Sequence, residues 1–170
     1  MRRILRRHEL VADEWRHLGE DPAADSRPER ALIVPLAQLR AEPARWLERS
    51  GPLGVCLGPS DAVADIAELL PRLSLVAVEF PTAGDGRGYS QARLLRERLA
   101  FHGELRAVGA GVRREQLFLM ARCGFDALEL ASGEDPQAAR SALQRYDVAY
   151  QPGSAEVALR RQRFERLGGD

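Results

Sequence analysis

The sequence contains no lysine, since all 25 basic residues are arginine, balanced by 25 acidic residues in a chain of 170. Without an ε-amine, the chain cannot form a Schiff base with a substrate or with pyridoxal phosphate, nor supply the lysine of a P-loop. Abundant alanine, arginine, glycine and leucine indicate a compositional bias, so the missing lysine needs no functional cause. Carboxylate, hydroxyl, thiol and guanidinium chemistry remains.

Cysteine and histidine are also scarce. The two cysteines, Cys56 and Cys123, lie far apart in apolar segments, and His8, His17 and His102 are scattered. Zinc and iron–sulfur sites need thiols and imidazoles at short, regular spacing, which this sequence does not have. We interpret both cysteines as structural thiols and expect neither a metal nor another cofactor.

Long apolar runs are missing too. No stretch reaches the roughly 18 residues of a membrane span, and the N-terminus lacks the apolar core of a signal peptide. We therefore expect a cytoplasmic protein that binds no membrane. A net charge of zero argues against nucleic acid binding, and we interpret two terminal arginine clusters as solvated faces: Arg2, Arg3, Arg6 and Arg7, and Arg160, Arg161, Arg163 and Arg166.

Short apolar runs alternate with segments of helical spacing along most of the chain. The predicted strands are Ala31–Leu36, Gly54–Leu57, Leu73–Phe80, Leu105–Val108 and Ala127–Leu130. The predicted helices are Ala62–Leu70, Ser90–Phe101, Arg113–Arg122 and Pro136–Tyr146. This alternation is typical of an α/β fold with a mainly parallel sheet. About five βα units would form either an open sheet or half of a (βα)8 barrel.

Residues 1–170 are predicted to form a single α/β domain. Residues 1–30 would hold a β-hairpin and a proline-rich loop, residues 31–150 the βα units, and residues 151–170 an arginine-rich helix and a frayed tail. The hairpin is predicted from the apolar residues on either side of His8 and Glu9.

Four residues are candidates for helix ends. Ser60 or Asp61 could cap the helix that begins near residue 62. Gly103 and Gly124 follow predicted helices, at the position where a left-handed residue commonly ends a helix.

The loop after the third predicted strand is rich in glycine and in polar side chains, and a helix is expected to start near Gln91. Ligands of parallel sheets bind at the carboxyl ends of strands, where this loop would lie. Its arginines could bind an oxyanion in bidentate fashion beside the helix N-terminus. We therefore predict a small anionic ligand, bound by Gly86, Arg87, Gly88, Tyr89, Ser90 and Arg93. In the alternative, the loop is a rigid turn in which Asp85 caps the backbone and Arg87 pairs with a carboxylate.

A second loop, after the next strand, could complete such a site. The candidate ligand residues in this part of the site are Arg106, Arg113 and Gln116. Arginine in a first helical turn opposes the helix dipole, which favours a role for Arg113 in gathering an anion or a partner. Asp85 and Glu79 are the candidates for an acid–base pair.

Two more specific motifs do not fit the sequence, because a residue that each of them needs is missing from the required position. The run Gly84-Asp85-Gly86 lacks the third glycine of a dinucleotide-binding fingerprint. Ser90 resembles the serine of a nucleophile elbow, but His102 lies at the far end of the same predicted helix and no histidine follows it.

One long motif carries a resemblance to a known family. Phe80-Pro81, Asp85-Gly86-Arg87-Gly88-Tyr89-Ser90, Ala92-Arg93-Leu94-Leu95-Arg96, Gly103–Gly109 and Arg122–Ala127 together resemble the bacterial DUF934 family. Members are described as uncharacterised or as a probable oxidoreductase involved in sulfite reduction, because their genes accompany assimilatory sulfite reductase. The resemblance implies a role in cysteine biosynthesis. This sequence departs from the expected pattern at Ala110-Gly111, where an aspartate would follow Gly109.

Two functions follow from the motif and the resemblance. The first is an accessory protein of assimilatory sulfite reduction that binds a small oxyanion, or docks on sulfite reductase, through Gly84–Arg96. The alternative is a small enzyme for an anionic sulfur-containing or phosphorylated metabolite. The description as an oxidoreductase fits the sequence poorly, because no flavin, nicotinamide, siroheme or iron–sulfur motif occurs in it. A homodimer that buries exposed sheet edges is compatible with both functions.

Overall fold

The computed structural model describes residues 2–19 and 27–144. Its strands are β1 (Arg3–Arg6), β2 (Glu9–Ala12), β3 (Arg16–His17), β4 (Leu32–Pro35), β5 (Leu53–Leu57), β6 (Leu75–Glu79), β7 (Glu104–Val108) and β8 (Ala127–Leu128). Its α-helices are α1 (Leu36–Ala41), α2 (Pro43–Leu47), α3 (Arg87–Arg93), α4 (Leu117–Arg122) and α5 (Pro136–Gln144). A 3₁₀ helix covers Val63–Arg72, and a π-helical turn over Leu94–Arg98 continues α3.

The eight strands form one curled sheet in the order β2-β1-β8-β7-β6-β5-β4-β3. Strands β3 to β8 run parallel, whereas the β1–β2 hairpin joins β8 in antiparallel fashion. Only residues 13–15 connect the two edge strands, and the four Cα steps from Ala12 to Arg16 span at most about 14 Å. Seven strand spacings in a flat sheet would span about 33 Å. The sheet must therefore curl, and it forms a half-barrel.

The two faces of the sheet differ in chemistry. The outer face is apolar, and its residues, such as Val55, Val76 and Leu105, share one buried cluster with residues of the covering helices, such as Ile66 and Leu95. The inner face combines a small apolar cluster with charged side chains; the cluster contains Trp15, Ile33, Leu75, Ala77 and Val108. The segment before β3 supplies Trp15, so this segment closes the inside of the curled sheet.

The fold class, the five predicted strands and the N-terminal hairpin are confirmed, with strand ends shifted by a few residues. Strand β3 and helices α1 and α2 were not predicted, because they have only two, six and five residues. The predicted proline-rich loop falls mostly on residues 20–26, and the C-terminal helix on residues 151–170, both outside the described residues. No helix within residues 2–19 and 27–144 has the length and apolar character needed to cross a membrane.

Two predicted helix starts are wrong. Helix α4 begins at Leu117 rather than at Arg113, so Arg113 lies in a loop and the argument from the helix dipole does not apply to it. Helix α3 begins at Arg87 rather than near Gln91, and the glycine-rich loop is shorter than predicted.

The predicted caps are partly wrong as well. Gly124 has the expected positive φ, at 101°, but Ala100 rather than Gly103 is left-handed after the π-helical turn. A Cβ on Gly103 would lie 2.4 Å from the Phe101 ring, so close packing requires this glycine. Asp61 does not cap the 3₁₀ helix, since its carboxylate accepts a hydrogen bond from the N–H of Gly58 at 2.8 Å.

Arg96 fastens the π-helical turn to the segments before and after β7. Its guanidinium donates hydrogen bonds to the carbonyl oxygens of Phe101 (2.5 Å), Gly103 (3.0 Å) and Gly124 (3.0 Å), and to the Asp126 carboxylate. Four acceptors from two segments are thus held by one side chain, which fixes the position of α3 on the sheet.

Candidate functional site

Phe80, the first residue after β6, packs closely against two glycines that follow it in the sequence. A Cβ on Gly88 would lie 2.5 Å from Cζ of Phe80, and one on Gly111 would lie 2.9 Å from its Cβ. Gly88 therefore allows the first turn of α3, and Gly111 the loop after β7, to pack on Phe80. No atom lies within 4 Å of the Cβ positions of Gly84 and Gly86, so packing does not explain those glycines.

Asp85 and Arg87 form a closed pair in this loop. Oδ1 of Asp85 accepts hydrogen bonds from the Arg87 N–H (3.1 Å) and Nε (3.0 Å), and Oδ2 accepts from Nη2 (2.7 Å). The Arg87 side chain, followed by its backbone N–H, holds the pKa of Asp85 below its ordinary value. The carboxylate is therefore ionised at neutral pH. This geometry matches the rigid turn, the alternative to a free anion-binding loop.

Arg87 nevertheless presents part of its guanidinium to solvent, since 59% of its side chain is exposed. Ser90, Arg93 and Leu94 are also exposed, on the same helix. Residues three or four positions apart share one side of a helix, so Arg87, Ser90 and Leu94 are aligned, with Arg93 beside them. Leu94 is 44% exposed, which is unusual for a large apolar side chain here. We call these four residues the α3 face.

The loops on either side of α3 are tied to it by polar side chains. The Tyr89 hydroxyl donates a hydrogen bond to Oε1 of Gln116 at 3.0 Å, so two predicted ligand residues meet. Arg113, in the same loop as Gln116, is exposed, and its guanidinium lies 3.6 Å from a Glu134 oxygen. The Tyr89 contact therefore ties α3 to the loop after β7, and the Arg113 contact joins that loop to the one after β8.

Gln91 and Ser60 are two site residues that sequence reasoning missed. The buried Gln91 amide donates hydrogen bonds to the carbonyl oxygens of Gly58 and Asp61, each at 2.9 Å. This holds the loop after β5 against α3, and Oγ of Ser60 lies 3.4 Å from Nη1 of Arg87. The sequence contained a signal for Gln91. It lies four residues before the apolar Leu95, so both residues belong to the buried side of one helix, and a buried amide needs hydrogen-bond partners.

Arg106 lies on the inner face of the sheet, away from the α3 face. Its Nη1 donates to both oxygens of Asp13 (3.0 and 3.1 Å), while Nε and Nη2 donate to Glu104 (3.0 and 2.8 Å). The side chains of Arg106 and Asp13 are fully buried. Burial alone would raise the pKa of Asp13, but Arg106, the Trp15 N–H and Arg2 together hold it below its ordinary value.

The same inner network contains part of the N-terminal arginine cluster. Arg2 lies 3.1 Å from Glu129 and Arg6 lies 2.9 Å from Glu104, so the interpretation of these two arginines as a solvated face is wrong. His17 completes the network through its Nε2, 3.0 Å from Glu129. The C-terminal cluster lies outside the described residues.

Glu79 and Cys56 lie close together near the carboxyl ends of the adjacent strands β6 and β5. Burial raises the pKa of Cys56 to about 12, and the carboxylates of Glu79, Glu129 and Asp61 add to the shift. Glu79 is exposed at the end of β6, whereas both oxygens of Asp85 bind Arg87. The two residues predicted as an acid–base pair have separate surroundings.

The Cys56 thiol should react slowly with alkylating reagents in the folded protein. At pH 8, a pKa of about 12 instead of 9.0 lowers the thiolate fraction about 1,000-fold. The greater nucleophilicity of a more basic thiolate recovers part of this, which leaves alkylation roughly 30-fold slower. The Cys123→Ala variant isolates Cys56, and iodoacetamide labelling in buffer and in urea measures the ratio. Equal rates in the two solvents would contradict a partly buried, protonated thiol.

The described residues contain no group of three or more histidine, cysteine or acidic side chains placed to hold a metal ion. Three cavities of about 320, 360 and 280 Å³ lie beside α2, between α4 and α5, and next to Phe101. None of these three is lined by Asp85 or Arg87. The α3 face is thus an exposed surface beside well-anchored loops.

Comparison with known proteins gives one assignment. A search of curated proteins finds no match to this chain. A family model described as bacterial protein of unknown function (DUF934) matches residues 54–159, which is 106 of 170 positions. The matched stretch contains Phe80 and its glycines, the α3 face and the Arg96 junction. The chain therefore belongs to the DUF934 family.

Proposed function

We propose that the protein is an accessory protein of assimilatory sulfite reduction and docks on sulfite reductase through the α3 face. The observation that carries this proposal is the exposure of Arg87, Ser90, Arg93 and Leu94 on one helix. Their neighbours Gly88, Ala92 and Leu95 are buried. Arginine is enriched at protein interfaces, and an exposed leucine beside it adds apolar area. The link to sulfite reduction comes from the resemblance of the motif to its family.

The rigidity of the loop also supports docking. Asp85 fixes the Arg87 guanidinium, and Gln91 holds the neighbouring loop in place, so less side-chain and loop entropy is lost when a partner binds. Catalysis at this loop would need Asp85, Arg87 and at least one residue of the Arg106–Gln116 segment to converge in a concave pocket. Neither Asp85 nor Arg87 lines any of the three cavities, and Arg106 lies on the inner face with its donors bound to Asp13 and Glu104.

Removal of the α3 face should abolish the accessory role without unfolding the protein. Cells that lack the protein would receive the wild type, the Arg87→Ala/Arg93→Ala variant or the control Arg45→Ala. Arg45 is also 59% exposed and pairs with Glu42 at 2.8 Å, so it matches Arg87 in exposure and pairing. We expect normal growth on sulfate with the wild type and the control. The double variant should give slow growth and roughly tenfold less co-purified sulfite reductase, as loss of an interface hot spot would cause.

Two outcomes would overturn the proposal. Normal growth on sulfate in cells without the protein would remove the pathway assignment. Undiminished co-purification of the reductase with the double variant would remove the α3 face as the docking surface.

A further inference from the structure

The Asp13 carboxylate lies in a cradle that resembles an oxyanion-binding site. It accepts hydrogen bonds from Nη1 of Arg106 (3.0 and 3.1 Å), from Nε of Arg2 (2.9 Å) and from the Trp15 N–H (3.1 Å). Two guanidinium groups and a backbone N–H are the donors with which proteins bind carboxylates, sulfates and phosphates. Here the bound anion is a side chain of the same protein.

The hydrogen bonds of the inner network depend on this carboxylate. Arg106 and Arg2 both donate to Asp13, although each also contacts another carboxylate. Without Asp13, Nη1 of Arg106, Nε of Arg2 and the Trp15 N–H would lose the acceptor that they share, which is unfavourable in a poorly solvated interior. An anion of the size of a carboxylate would restore these hydrogen bonds.

Asp13 belongs to a short connection that crosses the open side of the sheet. Residues 13–15 run from β2 to β3, the two edge strands, and we call them the strap. The Asp13 N–H donates to the Arg2 carbonyl oxygen at 2.9 Å, and the Arg2 guanidinium donates to the Trp15 carbonyl oxygen at 3.2 Å. The strap is therefore held by Arg2 and, at Asp13, by Arg106, and β3 beyond it has only two residues.

We propose that Arg2 and Arg106 form an oxyanion-binding site inside the curled sheet, that Asp13 is its built-in occupant, and that the strap is the cover an incoming anion displaces. The ligand class is a small oxyanion with two oxygens spaced to accept from a guanidinium, such as a carboxylate or a sulfur or phosphorus oxyanion. This site lies on the opposite face from the α3 face and does not rest on the docking function.

The site is tested by removal of its occupant. The Asp13→Ala variant is unfolded with urea in acetate, sulfate or phosphate, and in chloride at the same ionic strength. At ten times its Kd, a bound oxyanion should raise the ratio of folded to unfolded protein about elevenfold. If the variant is unfolded in chloride, the same titration measures refolding by tryptophan fluorescence. The Asp13→Ala/Arg106→Met variant is the control and should show no saturable response.

The inference fails if the oxyanions stabilise Asp13→Ala no more than they stabilise the wild type or the control variant. The cover has a separate test in the chain that retains Asp13. The Trp46→Phe variant leaves Trp15 as its only tryptophan. Oxyanion addition at constant ionic strength should shift Trp15 emission to longer wavelength and increase its quenching by acrylamide. Unchanged emission and quenching, under conditions that saturate Asp13→Ala, would show that the strap does not open.

Discussion

Replacement of Arg96 by alanine should lower the free energy of unfolding by about 3–5 kcal/mol, which is the size expected when a charged hydrogen-bonding group is removed from several acceptors. Its guanidinium donates to three carbonyl oxygens and to Asp126, and the side chain is only 16% exposed. Alanine would leave these acceptors without their donor. It would also leave a gap beside Gly124, because Cγ of Arg96 lies only 2.8 Å from the position that a Cβ on Gly124 would occupy.

Urea unfolding followed by circular dichroism measures this change, and Arg98→Ala is the matched control. Arg98 lies in the same π-helical turn and is exposed, so its replacement should change stability by no more than about 0.5 kcal/mol. Arg96→Lys should recover little, because one ammonium group cannot reproduce the planar fork of a guanidinium. Equal effects of Arg96→Ala and Arg98→Ala would show that the contacts of Arg96 contribute little.

Arg106→Ala should lower the free energy of unfolding by a similar amount, about 3–5 kcal/mol at pH 7, because it leaves Asp13 and Glu104 without their buried cation. Removal of both charges is a different case. Asp13→Leu/Arg106→Met replaces the buried pair by apolar side chains, and such replacements are often close to neutral. We expect this double variant to be more stable than Arg106→Ala. A double variant that is less stable would show that packing, rather than charge, limits the site.

The effect of Arg106→Ala should also depend on pH. In the wild type, the pKa of Asp13 lies below its ordinary value of 3.8, so its contribution to stability is present above that value and is lost as the pH falls through the folded pKa. Without Arg106, burial should raise the pKa of Asp13 above its value in the unfolded chain. The penalty of the ionised carboxylate is then relieved as the pH falls. The stability difference between wild type and variant should therefore shrink between pH 7 and about pH 4.

Urea unfolding at pH 7, 5 and 4 measures this trend. Arg45→Ala serves as the control, because Arg45 and its partner Glu42 are both largely exposed. A difference between wild type and Arg106→Ala that stays constant over this range would mean that the charge of Asp13 does not carry the effect.

The parallel strands could be predicted because each is a short apolar run bounded by glycine, proline or serine. Val76-Ala77-Val78 and the residues around Val55 are of this kind, and both lie in central strands. The edge strand β3 could not be predicted in this way, because Arg16 and His17 have no apolar pattern. These two residues pair with β4 only because the curled sheet brings the chain back beside it.

The candidate site shows a different limit of sequence reasoning. Arg106 was selected for its place at a strand end, but successive residues of a strand point to opposite faces. Leu105 and Ala107 lie in the outer apolar cluster, so Arg106 must point inward. Arg96 and Arg98 could not be separated by sequence, because the acceptor Asp126 is 30 positions from Arg96 and only the fold brings them together.

The pairing of β1 with β8 has a consequence for biosynthesis. Arg2 contacts Glu129, 127 positions later in the chain, and the first strand of the sheet pairs with the last. At a translation rate of roughly 5–20 residues per second, β1 leaves the ribosome about 6–25 s before β8. Throughout that interval the nascent hairpin lacks its neighbour, and Asp13 lacks Arg106 for nearly as long. Completion of the half-barrel therefore needs both the first and the last strand of the chain. Its buried ion network forms only after most of the chain has been synthesised.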